Sequence, residues 1–288
     1  MTLLAEAPFL APTPEAVMAR AQSENFPVAS RMLPRAARAH LLAIYGFARL
    51  VDELGDSAGG DRLAALDWLE GELDAAFEGR ATHPLLIRLT GTLRDCRLDR
   101  EPFVRLIEAN RLDQRRSRYA TWEDLRAYCR LSADPVGELV LAVLGQRSPE
   151  RVELSDRICT ALQLTEHCQD VAEDNLAGRV YLPMEDLARF GCSIDELSDP
   201  HAGRPLRKVV AFEVARAREL FDDGAPLIGE LRGRARLAVA AFVAGGRSAL
   251  DAIERADYDV LGGPPPVGRA HLLGSLARTL LSREARAR

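Results

Sequence analysis

Apolar residues recur along most of the chain at intervals of three and four, and convincing runs of alternating β-branched residues are absent. The pattern predicts helices and no sheet. It places helices near 14–24, 35–56, 61–79, 84–96, 102–117, 122–145, 150–176, 205–222, 226–257 and 268–285. The breakers at 57–60, 198–200 and 262–266 are short, and none has the length of a linker between independent domains. The expected fold class is therefore all-α, with residues 14–288 forming a single domain and residues 1–13 a flexible segment.

The most informative helix is AARAHLLAIYGFARLVDELGD, beginning at Ala36, whose apolar residues cover nearly every side. Such a helix is expected to be buried. Its polar members Tyr45, Arg49, Asp52 and Asp56 are spaced four, three and four, which puts them on one stripe. Two carboxylates a turn apart are costly to bury without a cation, and Arg49 compensates only one. A second helix, DRICTALQLTEHCQDVAED from Asp156, carries Gln163, Glu166, Asp170, Glu173 and Asp174 on one seam. Two such stripes facing each other would make an oxygen-lined cavity suited to Mg²⁺, which takes one or two carboxylates and completes its shell with water and phosphate oxygens. The implied ligand is a diphosphate.

Acidic pairs at i, i+4 are commonplace on solvated helix faces, but here each lies within an otherwise apolar helix. A di-iron bundle needs Glu-x-x-His pairs, and none of the five histidines follows a glutamate by three residues. No zinc signature is present either. The net charge of −5 argues against a generally basic nucleic-acid-binding surface. Five cysteines without a Cys-x-x-Cys pair suit reduced thiols, and hence a cytosol. The first twenty residues lack the basic region of a signal peptide. The longest apolar run, around 237–246, falls short of the roughly 18 to 20 residues needed to span a bilayer.

At these residues the sequence resembles the squalene and phytoene synthase family. The family's first motif appears as Tyr45-Gly-Phe-Ala-Arg49-Leu-Val-Asp52-Glu-Leu-Gly-Asp56, and its second runs from Gln163 through Asp170-Val-Ala-Glu-Asp174 to Gly178-Arg179-Val-Tyr181-Leu-Pro183. Between them Tyr128-Cys-Arg-Leu-Ser-Ala-Asp-Pro-Val-Gly137 resembles the family's Tyr-Cys segment, and Ser23-Glu-Asn-Phe26 falls where it carries a substrate motif. Three positions depart from the condensing members. Glu24 stands where they commonly have Lys or Arg, Gln169 where they have Arg, and Glu166 where they have Asn. The combination of Ser23-Glu-Asn-Phe-Pro-Val-Ala29 and Gln169-Asp-Val-Ala-Glu-Asp174 resembles the HpnC branch, the bacterial hydroxysqualene synthases of hopanoid biosynthesis.

The resemblance implies an isoprenoid synthase fold, with helices surrounding a central active-site cavity. It also implies a Mg²⁺-dependent lyase that converts presqualene diphosphate to hydroxysqualene and diphosphate, using two or three metal ions and no NADPH. On this reading Asp52, Asp56, Asp170 and Asp174 hold the metals. Tyr45, Arg49 and Tyr128 act at the reacting centre, and Phe26, Gln163, Glu166, Glu173 and Arg179 bind substrate. The expected setting is cytoplasmic and peripheral at the inner face of the plasma membrane, with transient contact to the membrane surface and to neighbouring squalene-pathway enzymes, and with no nucleic-acid partner. Two other readings stay open: a head-to-head condensing prenyltransferase acting on farnesyl diphosphate, and a catalytically silent helical partner of a related synthase.

Overall fold

The computed structural model describes Thr13, Val17, residues 33–56 and residues 60–282. The helix expected at 14–24 and the residues Glu24 and Phe26 lie outside the described residues. Thirteen α-helices occur among the described residues: α1 (Arg35–Asp56), α2 (Arg62–Phe77), α3 (Pro84–Cys96), α4 (Glu101–Asp113), α5 (Trp122–Ser132), α6 (Asp134–Val143), α7 (Pro149–Gln169), α8 (Val171–Leu176), α9 (Met184–Phe190), α10 (Arg204–Gly224), α11 (Pro226–Glu230), α12 (Gly233–Arg255) and α13 (Arg269–Leu281). A 3₁₀ turn covers Ile194–Ser198. Among the described residues there is no strand, only one isolated parallel bridge between Arg118 and Val180. The fold is all-α.

Four expectations need correction. The helix expected over 122–145 is two helices that part at Ala133, because Pro135 in the first turn of α6 has no N–H to continue the hydrogen-bond ladder of α5. The helix expected over 150–176 breaks at Asp170, whose backbone (φ −103°, ψ 18°) closes α7 and opens α8. The one expected over 226–257 is likewise interrupted after Glu230, where Leu231 turns extended before α12. Finally, α9 and the Ile194–Ser198 turn fill a stretch where the apolar pattern was too short to show a period.

The chain divides into two compact units, Met1–Arg115 with Glu138–Arg147, and Arg116–Gly137 with Ser148–Arg288. In the first, α1 packs against α2, α3 and α4. Phe47, Leu50 and Leu54 of α1 are fully buried in one cluster with Leu66, Leu69, Leu73, Leu86, Phe103 and Ile107. The Phe47 and Phe103 rings meet edge to face at 5.1 Å. Burial of this order stabilises by roughly 1.5 to 3 kcal/mol per large side chain, which is why the apolar sides of α1 dictate where its polar stripe emerges.

In the second unit α7 and α10 lie along one another, with α12 against both and α5 against α7. Ile158, Ala161 and Leu164 of α7 are buried, as are Val210, Val214, Ala217 and Phe221 of α10. Side-chain caps fix two entries to this unit. Thr121 accepts from the Asp124 amide at 3.2 Å, and Ser148 from the Arg151 amide at 3.4 Å. Asp134, almost fully buried, accepts from Arg126 at 2.8 Å and from Thr160 at 2.9 Å, tying α6 to α5 and α7. Among the described residues no helix is long and apolar enough to cross a membrane.

Candidate active site

The first acidic helix carries its polar stripe on the last three turns of α1. Arg49 is half-buried and pairs most closely with Glu53, at 3.0 Å, while its other terminal nitrogen lies 3.8 Å from Asp52. Asp52 is 48% exposed and Asp56 is exposed, so the stripe opens outward from the α1 core within this unit. Tyr45 is half-buried one turn before Arg49.

Helix α4 braces the end of this stripe. Asn110 donates to Asp52 Oδ1 at 3.3 Å, and Gln114 donates to the Gly55 carbonyl at 2.9 Å. Gly55 makes this possible, because a Cβ there would overlap the Asn110 amide. The bonded Asn110 amide orients the Asp52 carboxylate, as partners behind a metal ligand do. Asn110 and Gln114 escaped sequence reasoning. They sit more than fifty residues from Asp52 in a helix whose polar pattern resembles any surface helix.

The second acidic helix is discontinuous. Asp170 lies at the break between α7 and α8 and Asp174 one turn on, its amide bonded to the Asp170 carbonyl at 2.8 Å. Asp170 is partly buried, and burial, reinforced by neighbouring Glu173, holds its carboxyl above the usual carboxylate range. Glu173 itself is exposed, and Glu166 is half-buried. Among the described residues no three His, Cys, Asp or Glu side chains form a ready-made metal cage. Mg²⁺ needs only one or two carboxylates per ion, a demand that Asp170 and Asp174, one turn apart, can meet without such a cage.

Gln163, Asp174, Arg179 and Tyr128, all singled out from the sequence, gather here around a residue that was not. His167 is buried, and burial pushes its imidazole down to about 3, so the ring is neutral at physiological pH. The Gln163 amide nitrogen lies 3.3 Å from its Nε2. An amide nitrogen only donates, so Nε2 accepts and the ring proton resides on Nδ1, which lies 4.0 Å from Asp174 Oδ2. The His167 ring stacks on Tyr181 at 4.0 Å, and Tyr181 lies against Tyr128 at 5.5 Å and Tyr119 at 5.7 Å. His167, Asp174, Arg179 and Tyr181 line one small cavity with Leu182 and Leu197.

The Gly-Arg-x-Tyr-Leu-Pro segment places Tyr181. Gly178 turns the chain with φ +79°, a conformation open to glycine, and Arg179 donates its amide back to Asp174 at 2.8 Å. The segment then pairs with 117–120 through Val180 to Ser117 at 2.8 Å and Met184 to Tyr119 at 2.9 Å. Sequence reasoning gave no site role to His167, Tyr119 or Tyr181. The signal for Tyr181 was its place in the motif, whereas Tyr119 had none. The adjacent thiols are inert, since burial pushes Cys129 up to about 12 and holds Cys168 well above an ordinary thiol.

An all-α fold, two aspartate pairs at helical spacing and an aromatic cluster fixed by the second motif define a class of isoprenoid synthase. The sequence profile of the squalene/phytoene synthase family matches residues 19–273, and the chain belongs to that family. It is 33% identical over 253 residues to the phytoene synthase of Arthrospira platensis, covering 83% of this chain and 82% of that one. It is 34% identical over 215 residues to the hydroxysqualene synthase of Rhodopseudomonas palustris, covering 73% and 72%. The crystal structure of squalene synthase HpnC from Alicyclobacillus acidocaldarius is 47% identical with a TM-score of 0.79, covering 84% of this chain and 92% of that one. Membership makes the protein an enzyme of the squalene/phytoene synthase type, a family that acts on isoprenyl diphosphates.

Proposed function

We propose that the protein converts presqualene diphosphate to hydroxysqualene in hopanoid biosynthesis, with Mg²⁺ as its metal and without NADPH. The observation that carries this reading is the 47% identity to squalene synthase HpnC, together with the similarity to a hydroxysqualene synthase. The departures from the condensing pattern add to it. Gln169 is buried and uncharged where condensing members have Arg, and Glu24 is acidic where they have Lys or Arg. An enzyme that must hold two diphosphates would lose two cations.

In the reaction one carbon–oxygen bond to diphosphate breaks, the cyclopropylcarbinyl cation opens, and water adds through its oxygen while releasing a proton. Atoms and charge balance without a reductant. Asp52, Asp56, Asp170 and Asp174 would hold Mg²⁺, which neutralises the leaving diphosphate as a Lewis acid. Arg49 and Arg179 contact the diphosphate. Tyr45, Tyr128 and Phe26 are the aromatic residues whose rings would stabilise the cation. Neutral His167 and Gln163 hold the second motif in register beside Asp174. The enzyme works peripherally at the inner face of the membrane, where its isoprenoid substrate resides.

Phytoene synthases are as similar as the hydroxysqualene synthases, which favours condensation of two prenyl diphosphates as the second reading. Incubation of the purified protein and Mg²⁺ with farnesyl diphosphate alone separates the two. The expected result is unconsumed farnesyl diphosphate. Accumulation of presqualene diphosphate or a C30 hydrocarbon would overturn the proposal in favour of condensation.

A further inference from the structure

Helices α10, α12 and α13 meet around a polar cleft that none of the motif residues lines. Its framework is a ladder of charges at helical spacing. Arg218 and Asp222 stand one turn apart on α10, and Arg247, Asp251 and Glu254 follow one another by a turn each on α12. The pairs run between the helices. Arg218 donates to Asp251 at 2.7 Å and to Glu254 at 2.8 Å, and Arg247 donates to Asp222 at 2.5 Å. Helix α13 adds a polar stripe, His271, Ser275 and Thr279 at intervals of four. His271 meets Asp251 at 2.8 Å, Ser275 donates to the Ala244 carbonyl at 3.2 Å, and Arg278 comes within 3.8 Å of Asp251. The cleft has a volume of about 470 Å³, and every residue lining it is polar or charged.

Charge and hydrogen bonding identify what fits. Arg218, Arg247 and Arg278 line the cleft against a single carboxylate, Asp251. Their other partners, Asp222 and Glu254, are 68% and 56% exposed, so water screens those pairs. Although partial burial acts the other way, hydrogen bonds from Arg218 and His271 hold the Asp251 carboxyl below the usual carboxylate range. Arg278, at 3.8 Å, is too far from Asp251 to hydrogen-bond to it and keeps its planar fork for another acceptor. Thr279 is buried, and its hydroxyl has no partner among the described residues, a cost that an anionic oxygen would relieve by accepting from it. The lining residues offer no apolar wall for an isoprenoid chain, and their one ring, that of His271, is engaged by Asp251 rather than open to a nucleobase. Three guanidiniums suit an anion of two or more charges, which favours phosphate groups over a carboxylate.

We propose that this cleft is an anion site separate from the aspartate motifs, taking the phosphate or diphosphate group of a soluble molecule, with Arg247 and Arg278 as donors and Asp251 holding the cluster together. The inference does not rest on which prenyl diphosphate the enzyme consumes.

The test is isothermal titration calorimetry of the full chain with inorganic diphosphate in EDTA, which removes the metal through which the aspartate motifs would hold the same anion. Wild type is expected to bind one diphosphate, and Arg247→Gln/Arg278→Gln to bind it at least about tenfold more weakly, having lost two charge-assisted contacts. Arg278→Gln alone changes an exposed side chain, keeps the wild-type melting temperature and is expected to weaken binding about threefold. Arg49→Gln/Arg179→Gln is expected to retain the wild-type affinity. No binding by wild type, or equal binding by wild type and both cleft variants, would overturn the proposal. Loss of binding in Arg49→Gln/Arg179→Gln instead would overturn it too and give the anion to the active site. Displacement of diphosphate by phosphatidylglycerol vesicles would overturn the soluble ligand in favour of a lipid headgroup.

Discussion

Asp52 and Asp170 make different demands on their surroundings. Asp52 is solvated and held by an amide from Asn110, whereas Asp170 is partly buried beside Glu173. Neither contributes core volume, so Asp52→Asn and Asp170→Asn are expected to lower kcat by about three orders of magnitude, roughly 4 kcal/mol of transition-state stabilisation. Circular dichroism melting is expected to stay within about 2 °C of wild type. Near-normal turnover in both variants would remove the metal assignment. The aspartates were legible in the sequence because a carboxylate pair inside an apolar helix violates the expected pattern. Asn110, Gln114 and the Gly55 notch that admits Asn110 were not, since their roles arise from a contact between helices that no local period encodes.

At the scale of elements, α10 contains a buried charge cluster that the catalytic account does not use. Glu213 is fully buried, and Arg216 donates to both its oxygens at 2.6 and 2.7 Å while also donating to buried Asp186 at 3.0 Å. One guanidinium cannot neutralise two carboxylates. Burial raises Glu213 to about 8, against the partial opposition of Arg216, and Asp186 reinforces the rise. A folded value above the unfolded one means that the folded state holds more protons between pH about 4.5 and about 8, so this contribution is complete below that window and lost as pH rises through it. Glu213→Gln, which imitates the protonated form, is expected to cost less than about 1 kcal/mol at neutral pH and to flatten the fall in stability toward about pH 8. Denaturant midpoints measured across that range check it. A loss of about 3 to 5 kcal/mol would mean that Glu213 is ionised and paired.

Elements also show where periodicity stopped being readable. The span of α1 matches the expected 35–56 because its apolar period is unbroken. The break at Asp170 was hidden for the opposite reason: no proline or glycine marks it, and the apolar spacing continues across it from Leu164 and Cys168 to Val171. Yet that break is what sets Asp170 at a helix junction rather than in mid-helix.

Over the whole molecule the all-α class was legible from spacing alone, while the division into two compact units was not. The chain crosses between units at 115–116, 137–138 and 147–148, and the middle crossing lies inside α6, where no shift in composition announces it. The family was legible because its motifs place several chemically coupled residues at fixed intervals, and a profile spanning 19–273 bears that out. The proposed reaction rests on finer differences, above all Glu24 and Gln169 where condensing members commonly carry cations. Its central claim is that water, rather than a second prenyl diphosphate or a hydride, completes the chemistry. The most direct measurement is mass spectrometry of the products formed from presqualene diphosphate and Mg²⁺ in ¹⁸O-labelled water without NADPH. The account predicts a C30 alcohol carrying one ¹⁸O atom. A product without the label, or no turnover of presqualene diphosphate under conditions where farnesyl diphosphate is consumed, would contradict it.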